Sequence, residues 1–309
     1  MSAAVKEEDT MLFCASCGTA GGDDIKLKKC TACYLVRYCS VRCQREHRPK
    51  HKRECKKRAA ELRDEILFKQ PESSHMGDCP ICCLPLPIDT NKSCMYSCCS
   101  KFVCKGCAYA NALRECEEML EKKCPFCRKA VPNTKEEADE RLMQRVEAND
   151  ALAMCDMGTK RLKEGDYKAA FEYWTRAVAL GDETQAHFQL SIMYHHGIGI
   201  EKDFKRELHH AEQAAIGGHA KARHNLACLE AENGRADRAA THFLIAAKQG
   251  YNESLEHVKS MYKAGYDVIS KEDFDSALRG HQAAIAATKS PLREEATKFG
   301  NFKVGSRGI

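Results

Sequence analysis

Beyond residue 133 the hydrophobic pattern is helical throughout, and no stretch alternates as a strand would. The segment opens at Asn133-Thr134-Lys135-Glu136-Glu137, where Thr134 is placed to cap a helix and Glu137 to complete a capping box. Four stretches then align: Ala151-Leu-Ala-Met-Cys, Ala186-His-Phe-Gln-Leu, Ala222-Arg-His-Asn-Leu and Ser254-Leu-Glu-His-Val. Their starts lie 35, 36 and 32 residues apart. Each opens one helix, and a second follows over 167–180, 204–216, 236–249 and 274–287. Gly165, Gly197, Gly199, Gly234 and Gly265 mark the turn inside each unit, and Gly181, Gly217, Gly218 and Gly250 follow the second helices. A period in the mid-thirties with two helices per unit predicts an all-α helical-repeat solenoid over 134–287. Alanines such as Ala170, Ala177, Ala214 and Ala247 let its helices approach, and Tyr173, Trp174, Phe188 and Phe243 fill the gaps between them.

Before residue 133 the periodic signal is brief. Ala59, Leu62, Ile66 and Leu67 predict a linker helix over 56–69, ended by Pro71. A further helix is expected over 109–122, with Tyr109, Leu113 and Met119 available to a core or a partner. Residues 1–12 are polar and unpatterned, and 288–309 are polar and basic, so both are expected to be disordered.

Charge sharpens this division. The chain of 309 residues has a formal net charge of +5. Residues 1–70 hold 16 Lys/Arg against 10 Asp/Glu, so the surplus is N-terminal. Nine of those cations fall in 42–58, against two acids. No aromatic residues are interleaved to stack bases, so this run reads as the solvated face of a helix, and nucleic acid is not an expected partner. Residues 1–11 have no apolar core of a signal peptide, and no stretch approaches the ~18 apolar residues of a membrane span. The expected location is intracellular, cytoplasmic or nuclear, with no membrane association.

The chemistry lies in the cysteines. Of 20, only Cys155 and Cys228 fall after residue 127. Clustered Cys pairs in a reducing compartment favour metal over disulfides. The first group comprises Cys14 and Cys17, Cys30 and Cys33, Cys39 and Cys43, and His51 and Cys55. The second comprises Cys79 and Cys82, adjacent Cys98 and Cys99, Cys104 and Cys107, and Cys124 and Cys127. Intervals of 15, 4 and 16 residues between the pairs of the second group are too irregular for a repeat. They suit a cross-brace in which the first and third pairs share one zinc and the second and fourth share another. Eight ligands in each group predict four Zn(2+) ions. Cys94 is an alternative to Cys98, Cys83 and Cys116 are surplus, and His75 reads as a linker residue rather than a ligand. Modules this small need metal to supply folding free energy.

Three resemblances follow. The spacing over 14–55, with Tyr38-Cys39-Ser40-x-x-Cys43-Gln44 and His51-Lys52-Arg53-Glu54-Cys55, resembles a MYND finger. That family's cross-brace implies one zinc on Cys14, Cys17, Cys39 and Cys43, and another on Cys30, Cys33, His51 and Cys55. Arg48 stands where many members have a Trp that partly lines a groove for Pro-rich peptides. Residues 79–128 resemble a RING finger of the Cys-only kind. Ile81 between the first two ligands, Pro125 after the seventh and Arg128 after the eighth match positions that dock a ubiquitin-conjugating enzyme in RING ligases and, for the last, hold ubiquitin. Met193-Tyr194-His195-His196-Gly197-Ile198-Gly199 and Ala214-Ala215-Ile216-Gly217-Gly218-His219 resemble Sel-one-like repeats, relatives of tetratricopeptide repeats.

Together these imply a RING-type ubiquitin-protein ligase that catalyses by positioning a charged conjugating enzyme, with the MYND finger and the repeats recruiting a protein substrate or scaffold partner. The alternative is a non-enzymatic zinc-binding adaptor. No SET-like region accompanies the MYND finger, which argues against a methyltransferase.

Overall fold

A computed structural model describes residues 13–181 and 183–298. The expected disorder of residues 1–12 lies outside the described residues, as does that of residues 299–309. The chain divides into two compact units, one through Lys69 and one from Gln70.

In the first unit metal-type ligands make up four of the six buried core residues. Cys14, Cys30, Cys33 and Cys43 are buried with Val36 and Tyr38. A short ladder, β1 (Lys28–Lys29) against β2 (Arg37–Tyr38), sets Cys30 and Cys39 at its ends. The chain then enters α1 (Val41–Leu67), whose N-cap Ser40 accepts the Cys43 N–H at 3.2 Å. The linker helix expected to start at residue 56 is thus the second half of a single helix of 27 residues. Its first half is masked in the sequence by Pro49, whose missing N–H leaves the Arg45 carbonyl without its helical donor and usually costs about 3 kcal/mol in a helix interior. Cys43, His51 and Cys55 all project from this one helix, so the two clusters they serve hold it continuous across the proline.

The second unit begins with another cysteine-rich core: Cys79, Leu86, Tyr96, Val103, Cys104, Cys107, Ala108 and Cys124. Its hairpin pairs β3 (Ser93–Tyr96) with β4 (Lys101–Cys104), Cys94 opposite Val103. The helix expected over 109–122 is observed as α2 (Lys105–Glu117). It starts earlier because the Cys104 sulfur caps it, accepting the Cys107 N–H at 3.4 Å, and it ends at Glu118 before Met119 turns left-handed.

Helices follow without interruption: α3 (Lys135–Glu147), α4 (Ala151–Lys163), α5 (Tyr167–Gly181), α6 (Thr184–His196), α7 (Phe204–Ile216), α8 (Ala220–Glu232), α9 (Ala236–Lys248), α10 (Asn252–Lys263), α11 (Lys271–Ala287) and α12 (Pro291–Lys298). Thr134 caps α3, yet Glu137 accepts from the Asn133 N–H at 2.9 Å rather than from Thr134, so the box is offset by one residue. A complete capping box instead opens α11, between Ser270 and Asp273. The pairs α4–α5, α6–α7 and α8–α9 pack intimately and stack in order. One core centres on buried Trp174, whose indole N–H donates to the Cys155 carbonyl at 3.1 Å; a second centres on Phe243 and Val258, and a smaller one on Phe188.

The tail expected to be disordered from 288 is helical over α12. Eight residues are too few to show a period, but buried Arg293 and Ala296 anchor this helix against α2. Gly106 makes the approach possible, since a Cβ there would lie 2.8 Å from the Arg293 backbone nitrogen. No helix among the described residues is long and apolar enough to cross a membrane.

Candidate metal centres

Four Cys-x-x-Cys pairs in these two units share one local design. In the pairs starting at Cys14, Cys30, Cys79 and Cys124, the first cysteine's carbonyl accepts the N–H four residues on, from Gly18, Tyr34, Cys83 and Arg128, at 2.8–2.9 Å. Each of those residues is left-handed, with φ of 73°, 58°, 56° and 62°. The turn brings both sulfurs to one side and sends the chain back along itself. Antiparallel bridges then join Phe13 to Ala20, Asp78 to Pro85 and Lys123 to Ala130. Backbone amides end up aimed at sulfur: the Cys127 N–H lies 3.5 Å from Cys124 Sγ, and the Cys104 N–H 3.5 Å from Cys79 Sγ. Such donors favour the thiolate form that a metal requires.

The structure brings together Cys14, Cys17, Cys39 and Cys43; Cys30, Cys33, His51 and Cys55; Cys79, Cys82, Cys104 and Cys107; and Cys98, Cys99, Cys124 and Cys127. Within each set the ligand atoms lie within 4.8 Å of one another, so each set can hold a metal ion. The sets interleave along the chain as two cross-braces. Cys98 and Cys99 both sit on the tip of the β3–β4 hairpin, where Ser100 is left-handed at φ 53°. That tip delivers the two adjacent sulfurs to one cluster, while Cys94, two residues before Tyr96 on β3, stays outside it. Cys83 and Cys116 are also outside, and both are exposed.

The donor chemistry fits zinc. Ligands about 2.3 Å from a tetrahedral ion are about 3.8 Å apart. The Sγ–Sγ separations are 3.3 Å for Cys98–Cys127, 3.6 Å for Cys17–Cys39 and Cys39–Cys43, 3.8 Å for Cys30–Cys55 and Cys82–Cys104, and 3.9 Å for Cys99–Cys124. Most are close to a tetrahedral edge, Cys98–Cys127 is shorter, and all are far longer than the ~2.05 Å of a disulfide. Cys33 Sγ lies 3.2 Å from His51 Nε2, which assigns that nitrogen to the cluster. Beside it, the His47 ring stacks on His51 at 5.7 Å, and His47 Nδ1 is 3.1 Å from the Tyr38 hydroxyl.

The clustered thiols hold their protons unequally. Burial opposes ionisation of Cys14, but backbone hydrogen bonds at Cys17, Cys39 and Ser16 carry it down to about 6. Burial, then the neighbouring Cys30, push Cys55 up to about 12.

One cluster has an outer shell that the cysteine pattern does not foretell. The Arg293 guanidinium, from α12, places Nη2 3.4 Å from Cys82 Sγ and 3.2 Å from the Leu84 carbonyl. Its Nη1 donates to the carbonyls of Pro85 at 2.7 Å and Thr288 at 2.8 Å. A zinc ion on four thiolates would carry two net negative charges, and this buried cation lies beside them.

Of the three residues matched to conjugating-enzyme docking, Ile81 and Arg128 are exposed and Pro125 is buried. The adjacent Phe126 is 44% exposed, close to the 41% of Ile81. His75 is no ligand; its ring stacks on His219 at 4.1 Å.

Residues 14–55 match the MYND finger family model. The rat protein named DAP3-binding cell death enhancer 1 is 25% identical over 206 residues, covering 54% of this chain and 40% of that protein. SET domain and MYND-type zinc finger protein 6 of Schizosaccharomyces pombe is 36% identical over 59 residues, 19% of this chain and 12% of that one. This chain therefore spans less than half the length of these relatives. Among solved structures, a Sel1 repeat protein from Oxalobacter formigenes superposes with a TM-score of 0.41 at 26% identity, covering 50% of this chain and 62% of that one.

Proposed function

We propose that this chain is a zinc-organised scaffold for protein–protein interaction rather than an enzyme. The observation that carries this reading over a RING ligase is the burial of Pro125, one of the three positions matched to conjugating-enzyme docking; every cluster also offers four protein ligands, which leaves a bound ion no open position for chemistry at the metal itself. Such ions supply folding free energy and hold thiolates together. In this reading each of the four sets binds one zinc, and the MYND finger and the stacked helices present surfaces to protein partners. The rat relative is named for binding DAP3, and its likeness supports a protein-binding role for the segment it matches.

Ubiquitin discharge from a panel of charged conjugating enzymes tests the proposal. The scaffold reading expects the rate of each enzyme alone; acceleration by this protein would overturn it. Elemental analysis gives the second test, with four zinc ions expected per chain. Two ions would restrict metal binding to one module.

A second reading is a RING-type ubiquitin-protein ligase, with Ile81 and Pro125 docking the conjugating enzyme and Arg128 ordering ubiquitin. The exposure of Ile81 and Arg128 favours it, and the burial of Pro125 weighs against its full form.

A further inference from the structure

Within the second unit a cleft of about 750 Å³ opens between the cysteine module, the repeats and the C-terminal helices. That volume falls in the ~300–1,000 Å³ range of ligand sites. Its floor is a stack of rings: Phe188 and His219 with centroids 4.1 Å apart, and His219 and His75 likewise at 4.1 Å. The linker holding His75 is fixed there. The His75 N–H donates to the Gly218 carbonyl at 3.3 Å, and Gly218 is left-handed at φ +86° with no room for a Cβ, which would lie 2.6 Å from the Ser73 carbonyl oxygen.

Four lysines line this cleft from three parts of the chain: Lys92 and Lys105 from the cysteine module, Lys221 from α8 and Lys289 from the α11–α12 turn. None of the four has a carboxylate partner among the described residues. The acids of the same cleft are differently placed. Asp89 accepts the Asn91 N–H at 3.0 Å, while Glu253 and Glu294 lie in the first turns of α10 and α12, where a helix favours negative charge. Positive charge is therefore left over, next to apolar surface at Ile285, which is 38% exposed. Two buried atoms here, His75 Nδ1 and Gln249 Oε1, also have no hydrogen-bond partner among the described residues.

We infer that this cleft binds an extended acidic peptide of a partner protein, with carboxylates on the lysines and an apolar side chain against Ile285. The inference deepens the scaffold reading and rests on it. Nucleic acid fits less well, because Phe188 and His219 are buried and His219 is stacked between Phe188 and His75, so the floor offers little ring surface to bases. Residues 299–309 carry Lys303 and Arg307 and no acidic side chain, so charge opposes that segment as the occupant.

The test is selection of phage-displayed random dodecapeptides on the full zinc-loaded chain, then fluorescence anisotropy of the enriched peptides as synthetic probes. The enriched sequences should be acidic around an aromatic or aliphatic residue, and binding should weaken with added salt. The double variant Lys221→Glu, Lys289→Glu should lose about tenfold or more in affinity with an unchanged circular dichroism spectrum. Peptides without acidic bias would overturn the inference, as would acidic peptides that bind the variant equally well. So would a labelled oligonucleotide that outcompetes them and is itself lost in the variant. Discharge activity bears on the scaffold reading alone, so the two failures remain distinct.

Discussion

Arg293 Nη2 lies 3.4 Å from Cys82 Sγ although 211 residues separate them, so the end of the described chain completes the shell of a cluster near its middle. The guanidinium is buried, and three carbonyls share it with the thiolate. Outer-shell partners of this kind typically set metal affinity by roughly ten- to hundredfold. In Arg293→Met the side chain keeps its apolar length and loses its charge. One zinc of the four should then pass to a competing chelator about tenfold faster or more, with the other three unchanged and α12 still folded by circular dichroism. Equal release of all four ions would reduce Arg293 to a packing residue.

Chelation should act differently on the two kinds of core. Ligands supply half or more of the buried core residues in the first unit and the 76–127 module, whereas α4–α11 bury Trp174, Phe243 and their neighbours. A strong chelator should therefore remove the helical signal of α1 and α2, 27 and 13 residues long, and leave that of α4–α11. Far-ultraviolet circular dichroism during chelation reads this directly. Complete loss of the helical signal would mean that the stacked helices also depend on metal.

What can be read in the sequence is side-chain type at fixed spacing. Cys124-x-x-Cys127 and Ala186 to Leu190 announce a ligand pair and a helix because each signal is local. Backbone state is harder to see. The left-handed residue that closes each Cys-x-x-Cys turn directly follows the second cysteine, and of the four only Gly18 is a glycine. Tyr34, Cys83 and Arg128 therefore give no sign of their conformation. The choice between Cys94 and Cys98 depends on hairpin register, which places Cys94 opposite Val103 and leaves residues 97–100 for the tip. The Arg293 contact joins positions too distant for any periodic signal to connect.

Buried histidines should make the helical unit acid-sensitive. Burial, then the Arg223 and Arg238 cations, lower His242 to about 3, and burial with His75 and Lys221 nearby holds His219 well below its ordinary range. A folded-state value below the unfolded one, about 6.5, means the folded state binds fewer protons. Stability is then complete above pH ~6.5 and declines as pH falls toward the folded value. Between pH 7 and 5 His242 alone should remove up to about 2 kcal/mol. In His242→Leu the drop in thermal midpoint over that interval should be smaller than in the parent. Loss of zinc from protonated thiolates is common to both proteins, so their difference isolates the histidine. Parallel curves would show that His242 is not protonated on unfolding in this range.

Arg128 can be tested for backbone and side-chain roles separately. Its φ of 62° puts an L-residue in a region that typically costs 1–2 kcal/mol, and about 0.5–1 kcal/mol of that should return in Arg128→Gly once glycine's greater unfolded-state entropy is subtracted. Zinc content should stay at the parental value, since Arg128 is not a ligand. Arg128→Ala keeps the unfavourable conformation and removes only the guanidinium, so its stability should stay near that of the parent. If the protein is a scaffold, neither variant alters ubiquitin discharge, because there is none to alter. If it is a ligase of the RING type, both variants should slow discharge by about tenfold or more, the factor that ~1.4 kcal/mol of transition-state stabilisation supplies. A stabilised Arg128→Gly protein with slowed discharge would assign Arg128 a role in the reaction. A stabilised one with no discharge in either parent or variant would leave Arg128 as a turn residue and the scaffold reading intact.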